Sequence, residues 1–107
     1  MTLLTTMTFF ERFEHDIVSG VKTITIRNHE EKDYQPQSVV EVSTLETGRV
    51  FCHLRILSVE PILFSQLNDA HAQQENMTLP QLKAVIQEIY PGIQQLYVIR
   101  FERVTDE

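Results

Sequence analysis

A chain of 107 residues, 42% of them hydrophobic, has room for one core and is read as a single domain over residues 1–107, which excludes a multidomain architecture. Nine basic against fifteen acidic residues give a net charge of −6, which argues against tight nucleic-acid binding, whose affinity comes largely from phosphate neutralisation, and suits a small, weakly charged ligand. The single cysteine, Cys52, excludes an internal disulfide and a cysteine-rich zinc site; no run is long enough to span a bilayer, and the start lacks the basic and apolar segments of a signal peptide, so a cytoplasmic protein with no membrane attachment is expected.

In chain order, Thr8 and Glu11 form a Thr-x-x-Glu capping box, which predicts a helix start, and Phe9, Phe13 and Ile17 supply its apolar stripe. Gly20 is placed to end that helix in a left-handed conformation. Lys22 to Arg27 reads as a strand in which Thr23, Thr25 and Arg27 share one face and Ile24 and Ile26 the other. Asn28 to Ser38 is polar, contains Pro36 and reads as a loop, with His29-Glu30-Glu31 solvated.

Val39 to Val42 resumes β character, Thr47-Gly48 makes a hairpin turn, and Val50 to Leu57 is a long alternating strand that runs on until Pro61 interrupts it. Ser65 to about Glu75 is helix-compatible with Ser65 as cap. Thr78 and Gln81 make a second capping box, Pro80 falls in the first turn, and Leu82, Val85, Ile86 and Ile89 form the apolar face of a helix stopped by Pro91-Gly92. Leu96 to Arg103 closes the chain as a strand with Tyr97, Ile99 and Phe101 pointing inward. This order lacks the regular strand-helix alternation of a doubly wound sheet and predicts an α+β fold, a small, mostly antiparallel barrel flanked by helices.

Few constellations carry chemistry. Lysine becomes a general base when burial lowers its pKa, and a threonine hydroxyl becomes a nucleophile when a base takes its proton. The segment Lys22-Thr23-Ile24-Thr25-Ile26-Arg27 therefore reads as a candidate catalytic strand, although the same alternation suits a half-exposed edge strand with solvated polar residues. Glu75 is a candidate proton donor, or part of a solvated connection between helices. His71 and Glu75 share a helix face but lack a third ligand, so no metal is expected. Cys52 is read as core.

The blocks Thr8-Phe9-Phe10-Glu11-Arg12-Phe13, Gly20-Val21-Lys22-Thr23-Ile24-Thr25-Ile26-Arg27, His71-Ala72-Gln73-Gln74-Glu75-Asn76-Met77-Thr78-Leu79 and Ile89-Tyr90-Pro91-Gly92 with Tyr97-Val98-Ile99 resemble the small bacterial YqfB proteins of the ASCH superfamily, whose fold is similar to the PUA RNA-binding barrel. The resemblance covers nearly the whole chain. It implies an amidohydrolase that converts N(4)-acetylcytidine to cytidine and acetate without metal or other cofactor. By the same resemblance Lys22 is the base, Thr25 the nucleophile and Glu75 the proton donor. Arg27, Thr23 and Tyr97 are the expected substrate-binding residues, Arg27 alternatively positioning Glu75, with Phe9, Phe10 and Tyr34 as further candidates to stack on the pyrimidine. The expected partner is a free nucleoside, bound by a monomer; the alternative is a non-catalytic RNA-binding module of the PUA type. The chain departs from many relatives at Gln37-Ser38, where they carry Gly-Asp.

Overall fold

The computed structural model describes residues 3–105. Eight main elements follow in order: β1 (Thr6–Phe9), α1 (Glu14–Val18), β2 (Ile24–Arg27), β3 (Val39–Thr44), β4 (Val50–Leu63), α2 (Asp69–Gln74), α3 (Leu79–Ile89) and β5 (Gln95–Val104). The strands form one sheet in the order β1-β3-β4-β5-β2. The β1 and β3 pair is parallel and the others are antiparallel. The edge strands β1 and β2 meet through side chains: Arg27 Nη2 donates to the Thr8 carbonyl at 2.8 Å. The sheet thus curls toward closure, and the seam is where the catalytic candidates gather.

Two apolar clusters follow from the pleat. One face of the sheet, with Met7, Phe9, Val42, Leu54, Ile56, Ile99 and Phe101, packs together with Ile17 of α1. The other face, with Ile24, Ile26, Leu96 and Val98, packs against Ala72 of α2 and Leu82 and Ile86 of α3. Strand β2 is covered on both sides, so Thr25, 5% exposed, is a buried polar residue and not a solvated one. Each fully buried Leu or Ile in these clusters contributes about 1.5–3 kcal/mol relative to exposure.

The first predicted helix is corrected at its start. Thr8 lies in β1, where it pairs with Ser43, and the backbone turns helical only at a 3-10 turn, Glu11–Phe13. Ladder pairing of residues 6–9 removes Thr8 from any capping position. Its place is taken across the fold by Glu46, whose carboxylate accepts the Glu11 N–H at 2.9 Å. Gly20 does follow α1 with φ +84°. The candidate catalytic strand begins at Ile24, so Lys22 and Thr23 precede it.

Pro61 does not end β4; it pairs with Tyr97 within the ladder to β5. Strand β3 accompanies β4 only as far as Arg55, so the missing amide of Pro61 falls on a stretch with an open edge, where proline is tolerated. Ser65 is not a cap: it lies in a 3-10 turn, Phe64–Gln66, and α2 is capped by Asn68, whose Oδ1 accepts from the Ala70 N–H at 2.9 Å. The Thr78 capping box forms in both directions, with Gln81 N–H on Thr78 Oγ1 and Thr78 N–H on Gln81 Oε1. Among the described residues no helix is long and apolar enough to cross a membrane.

Candidate active site

A cavity of about 380 Å³ opens at the seam, lined by Phe9, Phe10 and Phe13 on one side, Met77, Val85, Ile86 and Tyr90 on another, and Lys22, Thr25, Arg27, Glu31 and Glu75 as its polar groups. Lys22, Thr25 and Glu75 lie far apart in sequence or on different elements, and all three reach this one cavity. Backbone bonds explain how. The Thr23 N–H donates to the Gln74 carbonyl at 2.8 Å, which ties the end of α2 to the start of β2. Asn76, with φ +58°, then ends the helix; its N–H bonds the Gln73 carbonyl and the Met77 N–H that of Ala72. Glu75 is the residue left at that pinned terminus.

Lys22 stands before the strand, its own N–H and that of Val21 both donating to the Asp16 carbonyl. Strand alternation therefore does not constrain its side chain relative to Thr25. Its ammonium nitrogen contacts Glu75 Oε1 directly and lies over the rings of Phe13 at 5.1 Å and Phe9 at 5.7 Å. Both partners are buried, Lys22 at 4% and Glu75 at 5% exposure. Desolvation, with the nearby Arg27 charge second, lowers the Lys22 pKa to about 7; Asp16 opposes the shift. An amine in that state is a competent base near neutrality.

Thr25 Oγ1 accepts from Arg27 Nε at 2.8 Å. Arg27 also donates to Glu31 Oε1 at 2.9 Å and lies over the Phe9 ring at 4.9 Å. Its hydrogen bonds run to Thr25, Glu31 and Thr8, and among the described residues none runs to Glu75.

Other expected binding residues are elsewhere. The Thr23 side chain is exposed, and the residue serves through its backbone. Tyr97 does not line the cavity: it packs beside His29 at 6.2 Å and under Lys32 at 5.8 Å. Tyr34 is buried with its hydroxyl on the Thr6 carbonyl at 2.7 Å. Of the stacking candidates, Phe9 and Phe10 face the cavity.

Two polar wall residues, Glu31 and Tyr90, escaped the sequence reading as site groups. Glu31 is not a solvated loop residue but the end of a 3-10 turn capped by Asn28, and its second carboxylate oxygen accepts from the Tyr90 hydroxyl at 2.9 Å. The spacing Arg27 to Glu31 was the available signal. His71 and Glu75 are engaged separately, His71 Nδ1 accepting the Asn68 N–H and Glu75 meeting Lys22. Among the described residues no group of three or more His, Cys, Asp or Glu is arranged to hold a metal ion. Cys52 is buried in the core and its thiol is pushed up to about 11 by burial, so it is not a reactive thiolate.

No protein-family model matches the chain. It is 72% identical over 104 residues to the N(4)-acetylcytidine amidohydrolase of Vibrio vulnificus (strain YJ016), covering 97% of this chain and 100% of that one. It is 56% identical over 103 residues to the N(4)-acetylcytidine amidohydrolase of Shewanella oneidensis, covering 96% and 99%. Among solved structures, the fold is similar to the ASCH domain from Lactobacillus crispatus, with a TM-score of 0.70 at 15% identity over 84% of this chain and 69% of that one. The ASCH protein of Zymomonas mobilis aligns with a TM-score of 0.73 at 12% identity, over 92% and 68%. Identity of this order along nearly the full length of both chains means that the chain belongs to the N(4)-acetylcytidine amidohydrolases, a family of hydrolases, with a fold similar to that of ASCH domains.

Proposed function

We propose that this protein deacetylates N(4)-acetylcytidine as a free nucleoside, with Thr25 as nucleophile, Lys22 as base and Glu75 as acid. The observation that carries the reading is the buried contact of Lys22 with Glu75 in the cavity that also holds the Thr25 hydroxyl. A buried amine and carboxyl that share one proton form two neutral groups when the proton sits on the carboxyl, and burial disfavours the two charges together. One transfer makes a base and an acid at once.

In the first half-reaction Lys22 Nζ takes the Thr25 proton, Oγ bonds the acetyl carbon, and the carbonyl π electrons move to oxygen. When they return, the bond to N4 breaks and Glu75 gives its proton to the departing cytidine. In the second half, water loses a proton to the Glu75 carboxylate as it attacks the acetyl-Thr25 ester. Acetic acid leaves and ionises in solvent, and Lys22 returns the proton to Thr25 Oγ. The chemistry calls on no metal or other cofactor. Phe9, Phe10 and Phe13 offer apolar walls for the planar base.

The test is incubation with N(4)-acetylcytidine and chromatographic detection of cytidine. The wild type should release cytidine, Thr25→Ala should lose at least about 10³-fold in kcat with its fold intact, and Thr23→Ala should retain most of the rate. Near-normal turnover by Thr25→Ala overturns the acyl-enzyme scheme.

A further inference from the structure

The Thr25 hydroxyl is the end of a hydrogen-bonded chain that crosses the cavity wall. Thr25 Oγ1 accepts from Arg27 Nε at 2.8 Å, Arg27 Nη1 donates to Glu31 Oε1 at 2.9 Å, and Tyr90 donates to Glu31 Oε2 at 2.9 Å. The remaining terminal nitrogen, Nη2, holds the Thr8 carbonyl. Three elements thus converge on one guanidinium, β1, β2 and the turn His29–Glu31, and the end of α3 holds the carboxylate of that turn. A guanidinium is planar, so once both terminal nitrogens are fixed, the direction of Nε–H is fixed as well.

A threonine hydroxyl has one proton and can accept at its lone pairs. Accepting from Arg27 leaves that proton to point elsewhere, and Lys22 lines the same cavity.

Resting on the reading of Thr25 as nucleophile, we propose that Glu31 and Tyr90 are positioning residues for the acyl transfer. Tyr90 orients the Glu31 carboxylate, Glu31 sets the plane of Arg27, and Arg27 Nε–H turns Thr25 Oγ so that its proton faces Lys22. During attack the proton passes from Oγ to Nζ while Arg27 keeps all of its own and stabilises the charge developing on Oγ. Burial and the neighbouring Glu31 carboxylate push the Tyr90 phenol pKa up, so Tyr90 remains a donor throughout the working range. The charged and titratable groups that bear on this network are Glu31, Tyr90, Tyr34 and Lys22 around Arg27, and Asp16, Glu75 and Arg27 around Lys22.

The experiment is steady-state kinetics of the full chain on N(4)-acetylcytidine across pH, for Glu31→Gln, Glu31→Asp and Tyr90→Phe, with exposed Glu30→Gln as control. Loss of alignment should lower kcat about 10²-fold in Glu31→Gln and about tenfold in Tyr90→Phe, with KM within about twofold because neither residue holds substrate. Removing the Glu31 charge leaves Arg27 uncompensated, which lowers the Lys22 pKa further, so the acidic limb of Glu31→Gln should move to lower pH. Glu31→Asp keeps the charge and should keep the wild-type limb.

Wild-type kcat and an unmoved limb in Glu31→Gln, with Thr25→Ala inactive, overturn this inference alone. A rise in KM at unchanged kcat, or a fall in Tm with both constants unchanged, does the same. Turnover by Thr25→Ala overturns the nucleophile reading instead. Should Glu31→Gln fail to fold, Tyr90→Phe, which deletes one oxygen, decides the matter by its kcat.

Discussion

Lys22 is an amine held between the Phe9 and Phe13 rings and the Glu75 carboxylate, almost out of reach of water. Its pKa, lowered to about 7 chiefly by desolvation, fixes the sign of the pH dependence. Below that value Lys22 keeps its proton and cannot accept another, so kcat/KM should fall as pH falls through about 7. At higher pH the Lys22–Glu75 pair loses its remaining proton, the leaving nitrogen has no donor, and the rate should fall again. Glu75→Gln should lower kcat and remove the alkaline fall. The measurement is a kcat/KM profile of both proteins; an unchanged rate and alkaline limb in Glu75→Gln would assign the acid to another group.

At the scale of elements, short segments are held by contacts from far along the chain. The turn before β3 contains Gln37 at φ +76°, a left-handed conformation that costs a residue with a Cβ about 1 kcal/mol and glycine little. The Gln37 N–H bonds the Ile56 carbonyl, a bond that glycine preserves. Gln37→Gly should therefore stabilise the protein by up to about 1 kcal/mol, seen as a rise of a few degrees in Tm, partly offset by the greater freedom of glycine in the unfolded chain. A lowered Tm would mean that the side chain makes contacts worth more than the backbone strain.

For the whole molecule, a buried amine–carboxyl contact such as Lys22 with Glu75 adds little to a core of this size, because both groups leave water to form it. Replacing both partners, Lys22→Met with Glu75→Gln, should abolish turnover and raise Tm by about 5 °C, because a buried pair exchanged for neutral groups is commonly neutral or stabilising by 1–4 kcal/mol. Net charge acts at the same scale. With −6 overall, the protein should turn over free N(4)-acetylcytidine faster than the same base within a folded RNA. Tight, salt-sensitive RNA binding without nucleoside turnover would instead favour the RNA-binding alternative.

The sequence by itself determined the α+β class, α3 with its Thr78 box, the Gly20 and Gly92 stops, the long β4, the family, and the trio Lys22, Thr25 and Glu75 as candidates. Those signals are local: a cap, a period or a motif reports on residues a few positions apart. Tertiary structure decided the rest. Thr8 resembled a helix cap until parallel pairing with Ser43 drew it into β1 and Glu46 supplied the acceptor. Glu31 resembled a solvated residue until Tyr90, 59 positions later, donated to its carboxylate. Tyr97 had the right alternation for an inward side chain, yet the cavity formed where β1 and β2 meet, and Tyr97 lies outside it. Each difference has one physical cause: the partner that satisfies a polar group or covers an apolar one comes from a distant segment, and only the folded chain brings the two within hydrogen-bond or van der Waals reach.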